Sequence, residues 1–289
     1  MPDSTLAKPS LCFVTLSHRS DLERCELLVR SMDRHVAQGT PHYLVVDRRD
    51  RRGFRHFNTG NRTVLCVEDI LPWWVFRLPF VPALWFSLRT RPFRNWILQQ
   101  LVKLAIPTKV SQDVLIHVDT DVAFVRPFDP RSFVRDGKVR LFRIPGAHRE
   151  PQVGWHRTAG RLLGLPPSDY YGASYVGDII SWTSGNVLKL HEQIERVTGR
   201  HWLRATCVQW EMAEYLLYGT FIDHVLGVEA SGHYFDPTCI CFGHWDWHSL
   251  SEEEVRQWLE KAGPQHVAIM IASYSKTPLK NYRHLIGLD

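Results

Sequence analysis

Short apolar runs alternate with longer segments of helical period through the first half of the chain, and this alternation predicts an α/β fold. Leu11 to Leu16 (LCFVTL) is almost continuously apolar, as a strand buried on both faces must be, and it stops at the polar Ser17, His18 and Arg19. Ser20 and Glu23 stand at the S-x-x-E spacing of a capping box, and Leu22, Cys25, Val29, Met32 and Val36 then recur at helical intervals up to Gly39. His42 to Val46 is a second apolar strand, closed by Asp47. A strand, a helix and a strand in this order predict a right-handed crossover with both strands parallel in one sheet. Ligands of such sheets gather beyond the carboxyl ends of the strands, which is where Thr15, Ser17, Arg19 and Asp47 fall.

Thr63 to Val67 reads as a third strand and is followed by an aromatic, proline-rich stretch to about Arg91. Pro92 suits a first helical turn, and Ile97, Leu98, Leu101, Leu104 and Ala105 mark a buried stripe that ends at Pro107. Gln99 and Lys103 are four apart on that helix and share a face away from the stripe. Val114 to Val118 is the next strand and runs straight into Asp119, Thr120 and Asp121; Val139 to Ile144 is another. The second half is less regular. It predicts a helix near His156 to Leu163, a strand Tyr175 to Trp182, and helices through Val187 to Val197 and about Leu203 to Tyr218. A helix opened by the Ser251 and Glu254 capping spacing and a strand His266 to Ile271 complete the series. Without internal repeats or flexible linkers, the chain reads as one α/β domain over residues 11–289 with a mixed, mainly parallel sheet. Residues 11–125 form its ligand-binding half and 126–289 its more variable half.

A chain of 289 residues, 44% hydrophobic and 22% charged, buries too large a core for disorder or a disulfide-stapled miniprotein. Its 35 Lys and Arg against 30 Asp and Glu suit an anionic ligand or a membrane surface better than nucleic acid. Six cysteines, mostly within apolar runs and without C-x-x-C spacing, predict reduced thiols; with no signal-peptide pattern at the N-terminus, the expected location is cytoplasmic. No apolar run approaches the roughly 18 to 20 residues that span a bilayer. Trp73, Trp74 and Trp85 share a segment with Arg77, Pro79 and Pro82. That segment is either a packed irregular loop or an amphipathic edge making peripheral contact with the inner face of a membrane or a lipid-linked acceptor.

The chemistry concentrates at Val114 to Val125 (VLIHVDTDVAFV). Asp119 and Asp121 follow a buried strand two residues apart, and on an extended backbone both carboxylates face one point. Two such charges repel, and a hard cation, Mg²⁺ or Mn²⁺, satisfies them while leaving positions for water or a diphosphate. The alternative is a pair of aspartates capping the turn before Arg126 and Pro127.

The segments NWILQQLVKLAIP (Asn95 to Pro107), HVDTDVAFVRPFD (His117 to Asp129), SYVGDIISW (Ser174 to Trp182) and AEYLLYGTF (Ala213 to Phe221) stand in that order. As an ordered set they resemble a bacterial, DUF6492-like family of GT-A-type glycosyltransferases of unknown specificity, often linked to surface polysaccharide. The resemblance covers about Leu11 to Phe235. It implies a Rossmann-like GT-A fold, a nucleotide-diphosphate sugar as donor, a divalent metal at Asp119 and Asp121, and transfer to a hydroxyl of a glycan or lipid-linked saccharide. In one departure, Ala213 stands where the pattern has serine before the glutamate.

Around this core, Thr15, Ser17 and Arg19 are candidates for the base and ribose, Asp47 for a ribose hydroxyl, and Gln99 and Lys103 for the donor sugar and phosphates. Glu211, Glu214 and Tyr218 fall on one face of the expected helix, opposite Val208, Met212 and Tyr215. Glu214 is the favoured catalytic carboxylate because the resemblance falls on it, and Asp178, costly to bury unpaired, is the second. His244 is either a third metal ligand or a packed histidine; Lys276 offers a phosphate contact. Cys239, Cys241 and His244 lack a fourth ligand at zinc spacing. Two other readings stand beside the transferase. One is a haloacid-dehalogenase-type phosphohydrolase, whose D-x-D nucleophile motif normally opens its domain, whereas here about a hundred residues precede it. The other is a non-catalytic nucleotide- or sugar-binding module.

Overall fold

The computed structural model describes residues 8–81, 84–147 and 152–288; Pro82 and Asp289 lie outside them. The alternating pattern of the first half yields β1 (Leu11–Leu16), α1 (Leu22–His35), β2 (His42–Val46), β3 (Arg62–Cys66), α2 (Asn95–Ala105) and β4 (Val114–Val118). The four strands are parallel in the order β3-β2-β1-β4. After β4 the chain turns at Asp119 to Asp121 and leaves this sheet, and β5 (Val122–Phe124) joins another. A fifth strand, β6 (Ile179–Thr183), returns antiparallel along β4 and leads into α3 (Ser184–Thr198). The fold is therefore α/β with a mixed, mostly parallel central sheet, compatible with a Rossmann-like arrangement.

The later elements are α4 (Glu214–Phe221), β7 (Cys241–His244), α5 (Glu252–Leu259) and β8 (Ala268–Ile271). In the second sheet β7 pairs parallel with β8, and β8 pairs antiparallel with β5. The turn at Asp119 to Asp121 is thus the bridge between the two sheets. The largest apolar cluster draws residues from Cys12 to Ile222, so both halves of the chain share one interior. Burying side chains of this size contributes roughly 1.5–3 kcal/mol each.

Local signals fared unevenly. Ser251 and Glu254 do form a reciprocal capping box, with bonds of 3.3 and 2.8 Å. The Ser20 box does not form: its hydroxyl bonds His18 Nδ1 at 2.7 Å, a short helical turn Arg19–Asp21 comes first, and α1 starts from Asp21. The helix expected over Leu203 to Tyr218 is two pieces, Trp202–Cys207 and α4. Between them Arg94 donates to the Trp210 carbonyl at 3.0 Å and lies over its ring, which holds the chain out of helical register.

The aromatic segment is part packed and part exposed, with Phe80, Leu88 and Leu78 among its exposed side chains. A small antiparallel sheet of Val75–Phe76, Leu84–Ser87 and Phe93–Arg94 puts Trp74 and Trp85 into the core at 5% and 0% exposure, and Trp73 alone of the three is exposed. Trp74 and Trp85 are therefore core side chains. No helix among the described residues is long and apolar enough to cross one, and all six cysteines are free thiols.

Inside the central sheet the Thr15 hydroxyl bonds His42 Nε2 at 3.0 Å, and Arg62 bridges His42 to Asp33. Burial, with Arg62 beside it, pushes the His42 imidazole down to about 3. Its folded value lies below the ordinary 6.5, so the unfolded chain takes up a proton first as pH falls. The stability from a neutral His42 is complete above pH ~7 and is lost from about 6.5 toward 3, by up to about 1.4 kcal/mol per pH unit. Urea unfolding between pH 7 and 5 should show a shallower decline for His42→Gln than for the parent; equal slopes would remove this account.

Candidate functional site

The carboxyl ends of β1 and β2 open into a polar cavity of about 500 Å³. Ser17, Arg19 and Asp47 line it, as expected, and so does Gln99 from α2. Asp47 is buried at its edge and paired with Arg77 and, at 3.4 Å, with Arg49. Burial lifts its carboxyl above the ordinary range against the pull of both guanidinium groups. Thr15 does not reach the cavity. Strand alternation turns it inward, where its hydroxyl is bonded to His42.

One helical turn beyond Gln99, Lys103 ties the site together. Its buried ammonium lies 3.1 Å from Asp119 Oδ1 and 3.1 Å from Glu214 Oε1, and it donates to the Tyr215 hydroxyl at 2.7 Å. The face that α2 carries Lys103 on is therefore interior, because three partners at the sheet edge compensate the charge. Burial alone lowers an ammonium's pKa, but Asp119, Tyr215 and Glu214 hold this one well above the usual lysine value. Glu214 reaches it as the first residue of α4, and Tyr215, expected on the opposite stripe, points into the site because the helix begins only there. Glu211 lies outside the helix, packed beside Gly154.

The antiparallel return of β6 supplies the third carboxylate. Ile179 pairs with Val118, so the next residues outward, Asp178 and Asp119, lie side by side at the same edge. Asp178 is 4% exposed, and burial followed by the charges of Asp119 and Asp121 lifts its carboxyl far above the ordinary value. Asp121 is pushed up to about 6, by burial first and then by Asp119. The backbone turns between the two aspartates instead of running on extended, with Val122 N–H bonded to Asp119 C=O at 3.2 Å. Asp119 turns to Lys103, and Asp121 Oδ2 accepts the Ser273 N–H at 3.0 Å.

Over residues 10–258 the sequence matches a family of unknown function, DUF6492. The chain belongs to the DUF6492 family. No curated protein matches it.

In this DUF6492 chain His244 is on the wrong face for the carboxylates. Cys241 and Gly243 of β7 stand on the Asp178 side, whereas alternation sends His244 with Phe242 toward Trp258 of α5, where its Nε2 bonds the His248 carbonyl at 2.9 Å. Lys276 is exposed, in a left-handed conformation with φ 58°, and does not line the cavity. Among the described residues no three His, Cys, Asp or Glu side chains form a ready-made metal cage. Asp119 and Asp121, two residues apart at this turn with the charge of Asp119 helping to raise the Asp121 carboxyl, are the pair that could hold a hard cation.

Arg77, Asp50 and Tyr215 belong to the site and were not singled out from sequence. Tyr215 had a usable signal, its place next to Glu214 in the AEYLLYGTF segment. The glycine of that segment also has a physical reason: a Cβ on Gly219 would stand 2.1 Å from the Tyr175 ring. The departure at Ala213 leaves α4 without a side-chain cap, although its φ of −125° and ψ of 121° suit one. Ala213→Ser is expected to stabilise the protein by about 1 kcal/mol, raising Tm by about 2 °C in calorimetry. An unchanged or lower Tm would mean that the α4 terminus is already satisfied.

Proposed function

We propose that the protein is a metal-dependent glycosyltransferase of GT-A type, which moves a sugar from a nucleotide-diphosphate sugar to a hydroxyl of a glycan or lipid-linked saccharide. The observation that carries this reading is the buried Lys103 that joins Asp119 to Glu214 one helical turn from Gln99, which itself lines the polar cavity. A phosphorylated, charged donor needs both a polar pocket and a means of neutralising its leaving group.

Ser17, Arg19, Asp47 and Arg77 hold the base and ribose, and Gln99 faces the donor at the mouth of the same cavity. Lys103 fixes Asp119 and Glu214 in position and places positive charge near the diphosphate. Asp119 and Asp121 are the residues that hold Mn²⁺ or Mg²⁺; when bound, that cation neutralises charge on the departing diphosphate. Glu214 takes the proton of the acceptor hydroxyl or steadies positive charge on the sugar. Asp178, with its raised proton affinity, is the second proton-carrying group at this edge.

A thermal-shift series with UDP, GDP, CDP and dTDP and their sugar derivatives, with and without Mn²⁺, tests the reading. One nucleotide is expected to raise Tm in a Mn²⁺-dependent way, by mass action on the folded state, and Asp119→Asn should abolish the metal dependence. If no nucleotide moves Tm under either condition, the proposal fails.

A further inference from the structure

We propose that Trp245, Trp247 and Tyr274 form a shelf on which the acceptor binds as a neutral saccharide, an inference that rests on the glycosyl-transfer reading above. Beyond the end of β7, Trp245 and Trp247 project with 47% and 76% of their surface exposed. Their setting is built rather than loose. The Tyr274 ring packs on Trp247 with centroids 4.6 Å apart, and its hydroxyl donates to the Trp245 carbonyl at 2.8 Å.

The shelf borders the carboxylates. Ser273, the residue before Tyr274, donates its N–H to Asp121 at 3.0 Å. At Gly243 an added Cβ would stand 2.7 Å from the Trp245 indole nitrogen and 3.2 Å from Asp178 Oδ2, so indole and carboxylate crowd the same side of β7. The cavity is lined from β1, β2 and α2, whereas the shelf stands on β7 and the turn after β8. The two therefore flank the Asp119 to Asp121 turn, which joins their sheets.

The chemistry selects the occupant. An exposed indole offers a flat apolar face with an N–H at its rim, and carboxylates beside it accept hydrogen bonds. A pyranose presents the complement, a face of C–H groups ringed by hydroxyls. Asp121 and Asp246, the latter standing between the two tryptophans, disfavour an anionic lipid surface at the same place.

Saturation-transfer NMR with the methyl glycosides of glucose, galactose, mannose and N-acetylglucosamine tests the shelf on the full chain. At least one is expected to receive saturation on its ring C–H protons. Trp247→Ala, an exposed change, should weaken binding about 5- to 13-fold, the loss of one stacking contact of roughly 1–1.5 kcal/mol, while Trp247→Phe retains part of it. The nucleotide-dependent rise in Tm should be the same in both variants as in the parent. Absence of any glycoside signal, undiminished signal in Trp247→Ala, or quenching of these tryptophans by phosphatidylglycerol vesicles instead of glycosides would each overturn the shelf. Because the nucleotide response is read separately, its loss in the parent would count against the donor reading, and its survival alongside a failed glycoside test would count against the shelf alone.

Discussion

Replacing Lys103 by methionine is expected to destabilise the protein by about 3–5 kcal/mol, because it leaves the buried Glu214 carboxylate and the Tyr215 hydroxyl without their cation. Against a typical total of about 5–15 kcal/mol, that is a large fraction. The loss is attributable to the uncompensated partner rather than to the lysine stem, since methionine fills much of the same volume. Pairing the change with Glu214→Gln should therefore recover at least about 1 kcal/mol of the single variant's loss in urea unfolding. A single variant within about 1 kcal/mol of the parent would show that the lysine does not organise the site.

Glu214→Gln alone separates binding from chemistry. The amide keeps the shape and hydrogen-bonding capacity of the side chain and removes its charge, while Asp119 still compensates Lys103. The nucleotide-dependent rise in Tm should persist, and release of nucleoside diphosphate from the donor should slow by about 10²–10⁴, the usual contribution of a positioned proton acceptor. Equal turnover in parent and variant would leave Glu214 as a partner of Lys103 and nothing more. A non-catalytic binding protein would show the Tm response and no turnover in either.

The parallel core was legible because periodicity is a local property. LCFVTL, HYLVV and VLIHV are strands with the predicted ends, and the crossover through α1 makes β1 and β2 parallel. What stayed hidden depends on pairing between distant segments. Asp178 reaches Asp119 only because β6 runs antiparallel to β4 in the register that pairs Ile179 with Val118, and nothing in SYVGDIISW encodes that direction. Between the two readings of His244, strand parity, set by how β7 lies on β8, places it beside Trp258. The burial of Lys103 was not legible on its helix face because its compensating partners lie 16 and 111 or 112 positions away. The site residues themselves were visible as chemistry, and their mutual geometry was not.

The bridge between the two sheets bears on how the molecule is made. β5 has its strand partner, among the described residues, in Ala268–Ile271, Asp121 is gripped by Ser273, and Arg24 in α1 binds the carbonyls of Ile271 and Thr277. A chain leaving the ribosome can assemble β1 to β4 early, since domains fold from the N-terminal side as they emerge. The Asp121 side of its acidic turn lacks these partners until residues 268–277 have been added, so a nascent chain that stops short of them has the first sheet without the full carboxylate arrangement.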